Sequence, residues 1–329
     1  MATETETTDR TRERPTGVSA AATRWIENLS ETQFAYLLLT PMLLVLGLIA
    51  FWPLLRTFTM SLHADRLYGA QQLGQFIGFD HYVALLTGEI DAQLTRPFFD
   101  LSQPFTSALT VTLIFTVVSV LFETLIGFGQ ALVLDRDFAG RRWVRVAIIL
   151  PWAVPIVIQG MIFYLLFQPG IGFLVEPLQN LGIFSATPTV NSVDALLIVV
   201  VADVWKTSAF MALIILAGLQ SVDRSLYDVA RVEGASTIQR FTYVTLPLVL
   251  PAVLVAMLFR TIAAMRVFGL IETVTSCSTV PSLSCLVVST FSARQYGTAA
   301  AIAFVTAVII GLFVTIYIVF YADTEEGGL

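Results

Sequence analysis

Lysine is almost missing from this chain. Of its 18 basic residues, one is a lysine, Lys206, and the other 17 are arginines. A phosphate-binding P-loop needs the pattern G-x-x-x-x-G-K-[ST], with its lysine reaching the terminal phosphates. Lys206 follows Val204 and Trp205 with no glycine loop before it, so the chain carries no such ATP site. Histidine is equally scarce: His63 and His81 stand alone, outside any H-E-x-x-H pattern, which removes the zinc-protease reading. Charge is sparse at 13% of residues, against 56% hydrophobic, and the mean hydropathy is +0.80. A soluble domain of this size has no interior large enough for that much apolar surface, so the bilayer must be its solvent. The formal charge of −6 is dispersed through loops and tail, and nothing in it points to a nucleic acid partner.

What is present is organised into six apolar runs, near 34–55, 106–134, 143–168, 194–219, 247–271 and 297–321. Each is long enough for a span of roughly 20 residues. The expectation is an all-α polytopic membrane protein with six transmembrane helices over 34–321. Prolines 41, 53, 151, 155 and 251 fall within or at the ends of these runs, which membrane helices tolerate. Gly127, Gly129, Gly160 and Gly311 are candidates for close helix contact. Residues 1–33 read as a disordered tail ending in a short interfacial helix or linker, with Trp25, Ile26 and Leu29 on one side. That tail lacks the apolar centre of a cleavable signal peptide. Residues 322–329 read as a short C-terminal tail.

Arginine placement gives orientation. Eleven arginines flank the spans on one side (10, 12, 14, 24, 136, 141, 142, 145, 224, 231 and 240), and four on the other (56, 66, 96 and 294). With an even number of spans, the positive-inside rule expects both termini in the cytoplasm, together with the polar loop 220–247. Cys277 and Cys285 both fall in the opposite, external loop before the sixth run, where oxidation is permitted. A disulfide is expected there, two free thiols being the alternative.

The loop 220–247 carries the most specific pattern. It has Asp228-Val229-Ala230, Gly234-Ala235 at a fixed distance, then Val244, Leu246 and Pro247. Asp223 or Ser225 can cap a first short helix, Gly234 can end it in the left-handed region, and Ser236 with Gln239 forms a capping box for a second. Small Ala230, Gly234 and Ala235 would let another surface approach the backbone, while Asp228, Arg231, Glu233 and Arg240 could set register by charge. This spacing resembles the EAA loop of ABC importer permeases, with Asp228, Val229 and Val244 where Glu, Ala and Ile are commonest. Further stretches are similar to the sugar-importer permeases of the maltose/trehalose type: FIGFDHYVALL at 76–86, ILP at 149–151, VADVWKTSAFMALIILAGLQSV at 201–222, LFRTIAAMRVFGLI at 258–271 and YGTAAAIA at 296–303.

The resemblance implies a MetI-like, type I importer fold, a second permease subunit of similar fold, and an ATP-binding cassette ATPase dimer docked on the loop. It also implies an extracytoplasmic solute-binding protein and a sugar substrate such as trehalose or maltose. ATP and magnesium would be bound by the ATPases, leaving this chain non-catalytic with no cofactor of its own. In that family the loop before the last span usually carries a Gly-Gly-Pro turn; here Ser276-Cys277-Ser278-Thr279-Val280-Pro281 stands instead.

Five ionisable residues fall within the runs: Glu123, Asp203, Lys206, Arg260 and Arg266. Facing lipid, an Asp, Lys or Arg at a span centre costs about 2.5–3.5 kcal/mol on insertion scales, so all five must face protein, water or one another. Asp203 and Lys206 are spaced to pair on one face. Two readings stand. Asp203, Lys206, Arg260 and Arg266 could line a solute path, with Trp205 or Phe210 offering a flat face to a sugar ring; the resemblance favours these two spans. Alternatively the charges fix helix packing, with Glu123 and Arg260 a candidate pair. Arg260 and Arg266 lie about 120° apart on an ideal helix, so both are not expected on one ligand. Two arginines would also suit an anion such as glycerol 3-phosphate. Glu123 alone would suit an ion-coupled carrier, which has no use for the polar loop.

Overall fold

The computed structural model describes residues 29–66 and 73–326. Expectations for residues 1–28 lie outside them. The chain divides into two compact units, residues 1–57 and 58–329. In the first, helix α1 (Glu31–Ser61, whose last turn belongs to the second unit) is opened by Ser30, which forms a capping box with Gln33. The turns Gly47–Phe51 are wound as π-helix. None of its residues from Glu31 to Phe51 is buried.

The second unit begins with a small antiparallel hairpin, β1 (His63–Asp65) and β2 (Leu73–Phe76), and helix α2 (Asp80–Thr87). The long helices follow: α3 (Ala108–Asp135), the pair α4 (Arg141–Ala153) and α5 (Ile156–Leu166), and, after short α6 (Val175–Asn180), α7 (Ser192–Ser221). Then come α8 (Arg224–Val232), α9 (Thr237–Ala264), α10 (Gly269–Val274), α11 (Leu283–Ser292) and α12 (Tyr296–Glu326). Five helices are long and apolar enough to cross a membrane, or six if the bent α4–α5 pair is one span.

Three expectations are corrected. The run 143–168 is two helices meeting at 93°, not a straight span. Val154 precedes Pro155, whose ring disfavours helical geometry at the residue before it, and Val154 is extended at φ −70°, ψ 129°. The run 247–271 starts earlier, at Thr237, and stops at Ala264, so Arg266 lies beyond the helix, exposed. The last helix continues through the expected boundary at 321 as far as Glu326.

Helix α7 is the axis of the fold, packed along most of α3 and against α4, α9 and α10. Without a hydrophobic force between helices in lipid, contact depends on how closely backbones approach. Gly127 of α3 sits where a Cβ would be 2.5 Å from Met211 Cβ and 2.9 Å from the Ser208 carbonyl oxygen on α7. Gly160 of α5 faces Thr273 of α10 as closely, whereas Gly129 and Gly311 have nothing within 4 Å. At the far end, Asp65 reaches from β1 to accept from the backbone N–H groups of Gly297 (2.7 Å) and Thr298 (3.2 Å), capping α12. Buried His81 bridges the same junction, its ring contacting the His63 carbonyl and the Thr298 hydroxyl.

Gly127→Val should therefore lower stability by roughly 1–3 kcal/mol through overpacking. Gly129→Val, one turn-face away, should change it by less than about 0.5 kcal/mol. Thermal unfolding of the two variants in detergent measures the difference, and equal melting temperatures would contradict the close α3–α7 contact.

Candidate functional site

Two clusters hold the chemistry. The first lies at the crossing of α3, α7 and α9. Glu123 is fully buried, and Arg260 donates to it twice, Nε to Oε2 at 2.5 Å and Nη2 to Oε1 at 2.7 Å. The same Nη2 donates to Asp203 Oδ2 at 2.9 Å. One guanidinium thus joins carboxylates from two other helices, and the planar fork of arginine suits this where a lysine could not.

The remaining charges are not drawn in. Lys206 does not pair with Asp203 as its spacing led us to expect; its Nζ donates to the Val154 carbonyl at 2.8 Å, a group freed by the α4–α5 break. Arg266 is exposed, two residues beyond the end of α9. Trp205 is 40% exposed and stands edge-on to Phe163. It lines a cavity of about 740 Å3 between α3, α4 and α7, together with Phe122, Pro151, Gln130 and Ser208. Gln130 and Ser208 are hydrogen-bonded to each other (3.3 Å), and the other lining side chains are apolar. Phe210 lies instead against Trp152 and does not line it.

The second cluster is the loop between α7 and α9. Asp223 caps α8 by accepting from Ser225 N at 2.9 Å, and this backbone hydrogen bond holds its carboxyl below the ordinary aspartate range. The helix ends in a Schellman motif: Ala235 N donates to Ala230 O (2.9 Å) and Gly234 N to Arg231 O (3.1 Å), with Gly234 at φ 81°. Ser236 and Gln239 then exchange hydrogen bonds as a capping box. Asp228 and Arg231 pair at 3.2 Å on the surface, Glu233 sits at the helix end, and Arg240 reaches Thr237. Two ties fix the loop to the helices: Arg224 is bidentate to Asp135 at the end of α3 (2.7 and 2.9 Å), and Thr245 of α9 donates to the Tyr227 hydroxyl. Leu246 and Pro247 continue α9 just beyond its π-helical stretch Phe241–Thr245.

Sequence reasoning missed the apolar side of this loop. Val229, Val232 and Ile238 are 60%, 86% and 75% exposed, and Leu226 joins them three residues before Val229. The i, i+3 spacing of Leu226, Val229 and Val232 was the available signal, but only the fold shows that none of the described residues covers it.

On the side away from this loop, Cys277 and Cys285 are joined, Cα to Cα 5.5 Å. Arg96 donates to the Ser278 carbonyl within the closed segment (2.5 Å).

Long apolar helices around a buried charge network, with a capped polar loop projecting between two of them, define a multi-pass membrane transport component. Residues 123–323 match the family described as "Binding-protein-dependent transport system inner membrane component". The chain is 33% identical over 291 residues to the trehalose/maltose transport system permease protein MalF of Thermococcus litoralis, covering 88% of this chain and 93% of that protein. It is also 33% identical to the trehalose transport system permease protein SugA of Mycobacterium tuberculosis, over 79% of this chain and 78% of that one. Among solved structures, a bacterial alginate ABC transporter in complex with its alginate pentasaccharide-bound periplasmic protein matches with a TM-score of 0.69. That match has 21% identity over 89% of this chain and 96% of its own, and it shows the shared fold. The chain belongs to the binding-protein-dependent transport system inner membrane component family, as a non-catalytic permease subunit.

Removing one partner of a buried pair strands the other charge and costs about 3–5 kcal/mol, whereas removing both with apolar residues costs far less. Arg260→Met, which strands both Glu123 and Asp203, should destabilise strongly, and adding Glu123→Leu with Asp203→Leu should recover much of the loss in a thermal mutant cycle. Additive losses would show that the three groups are not coupled. Separately, alkylation before reduction should label neither Cys277 nor Cys285 in mass spectra; two labelled thiols would overturn the bond.

Proposed function

We propose that this chain is one transmembrane half of an ATP-driven ABC importer for a neutral sugar of the trehalose or maltose kind. Its partners are a second permease subunit of similar fold, an ATP-binding cassette ATPase dimer and an extracytoplasmic solute-binding protein. ATP and magnesium are held by the ATPases. The observation that carries the reading is the rigid, doubly capped loop with an uncovered apolar knuckle, in a chain whose relatives are named as trehalose and maltose permeases.

Asp228, Ala230, Arg231, Glu233, Gly234, Ala235, Leu246 and Pro247 form the coupling element. Gly234 and Ala235 present bare backbone, Val229, Val232 and Ile238 supply the apolar contact, and the charges set register. The arginine asymmetry supports a cytoplasmic position for this loop and for both termini. When ATP closes the ATPases, the loop is displaced, and α9 carries the movement as a rigid body.

The solute argument runs through Arg260. Both carboxylates of the network already engage it, so it offers no free cation to a phosphate, and Arg266 lies outside the span. An anionic solute such as glycerol 3-phosphate therefore loses its structural support. Glu123 is equally committed to Arg260, and an ion-coupled carrier has no use for the capped polar loop. Asp203 with Trp205 remains the best candidate pair for contacting a passing sugar within the membrane; Lys206 and Phe210 serve packing.

Gly234 separates docking from folding. A Cβ there meets nothing within 4 Å among the described residues, so it adds no clash with them. Asn tolerates the left-handed region, so Gly234→Asn should leave membrane abundance and melting unchanged while cutting sugar uptake and transport-linked ATPase activity by at least about tenfold. Val232→Asp should do the same. Wild-type uptake in both variants would refute the coupling role.

A further inference from the structure

The 740 Å3 cavity beside Trp205 is poorly matched to a sugar, since its lining is apolar apart from Gln130 and Ser208, which are hydrogen-bonded to each other. A second cavity, of about 390 Å3, has the opposite character. It sits where the end of α5, the segment before α7 and the segment after α10 converge, and its size falls within the roughly 300–1,000 Å3 range of small-molecule sites. Its wall includes Tyr164, Gln168, Thr187, Thr189 and Ser276. No Asp, Glu, Lys or Arg lines it.

Four of these polar groups are unspent. The Tyr164 hydroxyl, the Gln168 amide and the hydroxyls of Thr187 and Thr189 make no hydrogen bond among the described residues. Thr189 is 6% exposed and lines the cavity, and no described residue engages its hydroxyl. The rim is held in place without using these groups: Thr275 Oγ1 donates to the Thr189 carbonyl at 2.6 Å, clamping the two segments, and Ser276 bonds within its own turn to Ser278 and Thr279. Each free hydroxyl or amide both donates and accepts, as every sugar hydroxyl does. The Tyr164 ring, 39% exposed, adds a flat apolar face.

We infer that this cavity is an entry subsite for one unit of a neutral polyhydroxylated solute, reached before the membrane path. The inference rests on the sugar reading above and deepens it. The position agrees: Thr189 precedes the Asn191 cap of α7, whose 30 residues, about 45 Å long, place it a membrane thickness from the coupling loop. With no cation in the wall, the subsite discriminates against anions by leaving their charge unpaired. The polar wall gives recognition without tight binding, which suits a site that must release its solute onward.

The test is equilibrium binding of labelled trehalose and labelled maltose to the assembled importer, without its solute-binding protein. The wild type should bind at least one of them saturably. Gln168→Ala combined with Thr189→Val should weaken that binding about tenfold or more, Thr189→Ser should restore it, and sn-glycerol 3-phosphate should not compete. Melting temperature and basal ATPase activity, unchanged across these variants, show that the complex is intact. Binding by the double variant equal to wild type, competition by sn-glycerol 3-phosphate as strong as by unlabelled sugar, or no saturable binding up to about 10 mM overturns the subsite. Uptake into proteoliposomes with loaded binding protein separates the two levels. Sugar uptake by the wild type with unaltered binding in the variants sinks the subsite alone. Absent sugar uptake by the wild type sinks the solute reading and the subsite together.

Discussion

The guanidinium of Arg260 holds this fold together in a place where little else can. In lipid, apolar side chains gain nothing by leaving the bilayer for each other, so helices associate through close packing and a few polar ties. Arg260 ties α9 to Glu123 of α3 and Asp203 of α7 at one point. The neighbouring contacts are arranged around that knot. Gly127 brings α3 onto α7 one turn from Glu123, and Gly218 lets α9 approach α7 at Ala252. A pair this buried adds little net stability over apolar residues, but it penalises every register in which the three groups do not meet. Its contribution is to specify one crossing of three long, nearly featureless helices.

The same economy shows at the break between α4 and α5. Proline at 155 forbids a continuous helix and frees the Val154 carbonyl, which no water in a bilayer core would satisfy. The chain's single lysine supplies the missing donor from α7, and Gln159 reaches the Ala202 carbonyl a turn further on. A charge that looked in the sequence like part of a solute path is thus absorbed by a backbone defect 52 residues away. The surfaces left over are divided by chemistry, with an apolar hollow beside Trp205, an uncharged hydroxyl-bearing one at the far end, and an apolar knuckle on the polar loop.

Legibility in the sequence followed the range of the interaction. The loop 220–247 could be read in detail because its caps are local: the A-x-x-x-G-A spacing from Ala230 to Ala235 is the hydrogen-bonding pattern of a Schellman motif, and S-x-x-Q is that of a capping box. The apolar runs were legible because bilayer thickness sets their length. Helix ends were less so, since hydropathy continues smoothly past Ala264 and carries Arg266 along with it. The Glu123–Arg260 contact stood in the sequence only as one alternative, because 137 residues separate the partners and no periodicity encodes their meeting. Lys206 misled for the same reason. Its i−3 neighbour offered a local partner, and a carbonyl released by a distant proline was the better one. The second cavity had no sequence signal at all, since its hydroxyls come from three separate segments.

These elements combine in the path from loop to knot. Helix α9 is continuous from Thr237 to Ala264, about 42 Å, and it carries the capping box at one end and Arg260 near the other. Arg224 grips Asp135 at the base of α3, and Tyr227 grips Thr245 at the base of α9. The polar loop is therefore fastened to the same two helices that Arg260 joins to α7 inside the membrane. The three helices are thus clamped to one another at two heights, and the bent α4–α5 pair, which stands outside that triangle, is tied to α7 by the Lys206 and Gln159 carbonyl contacts.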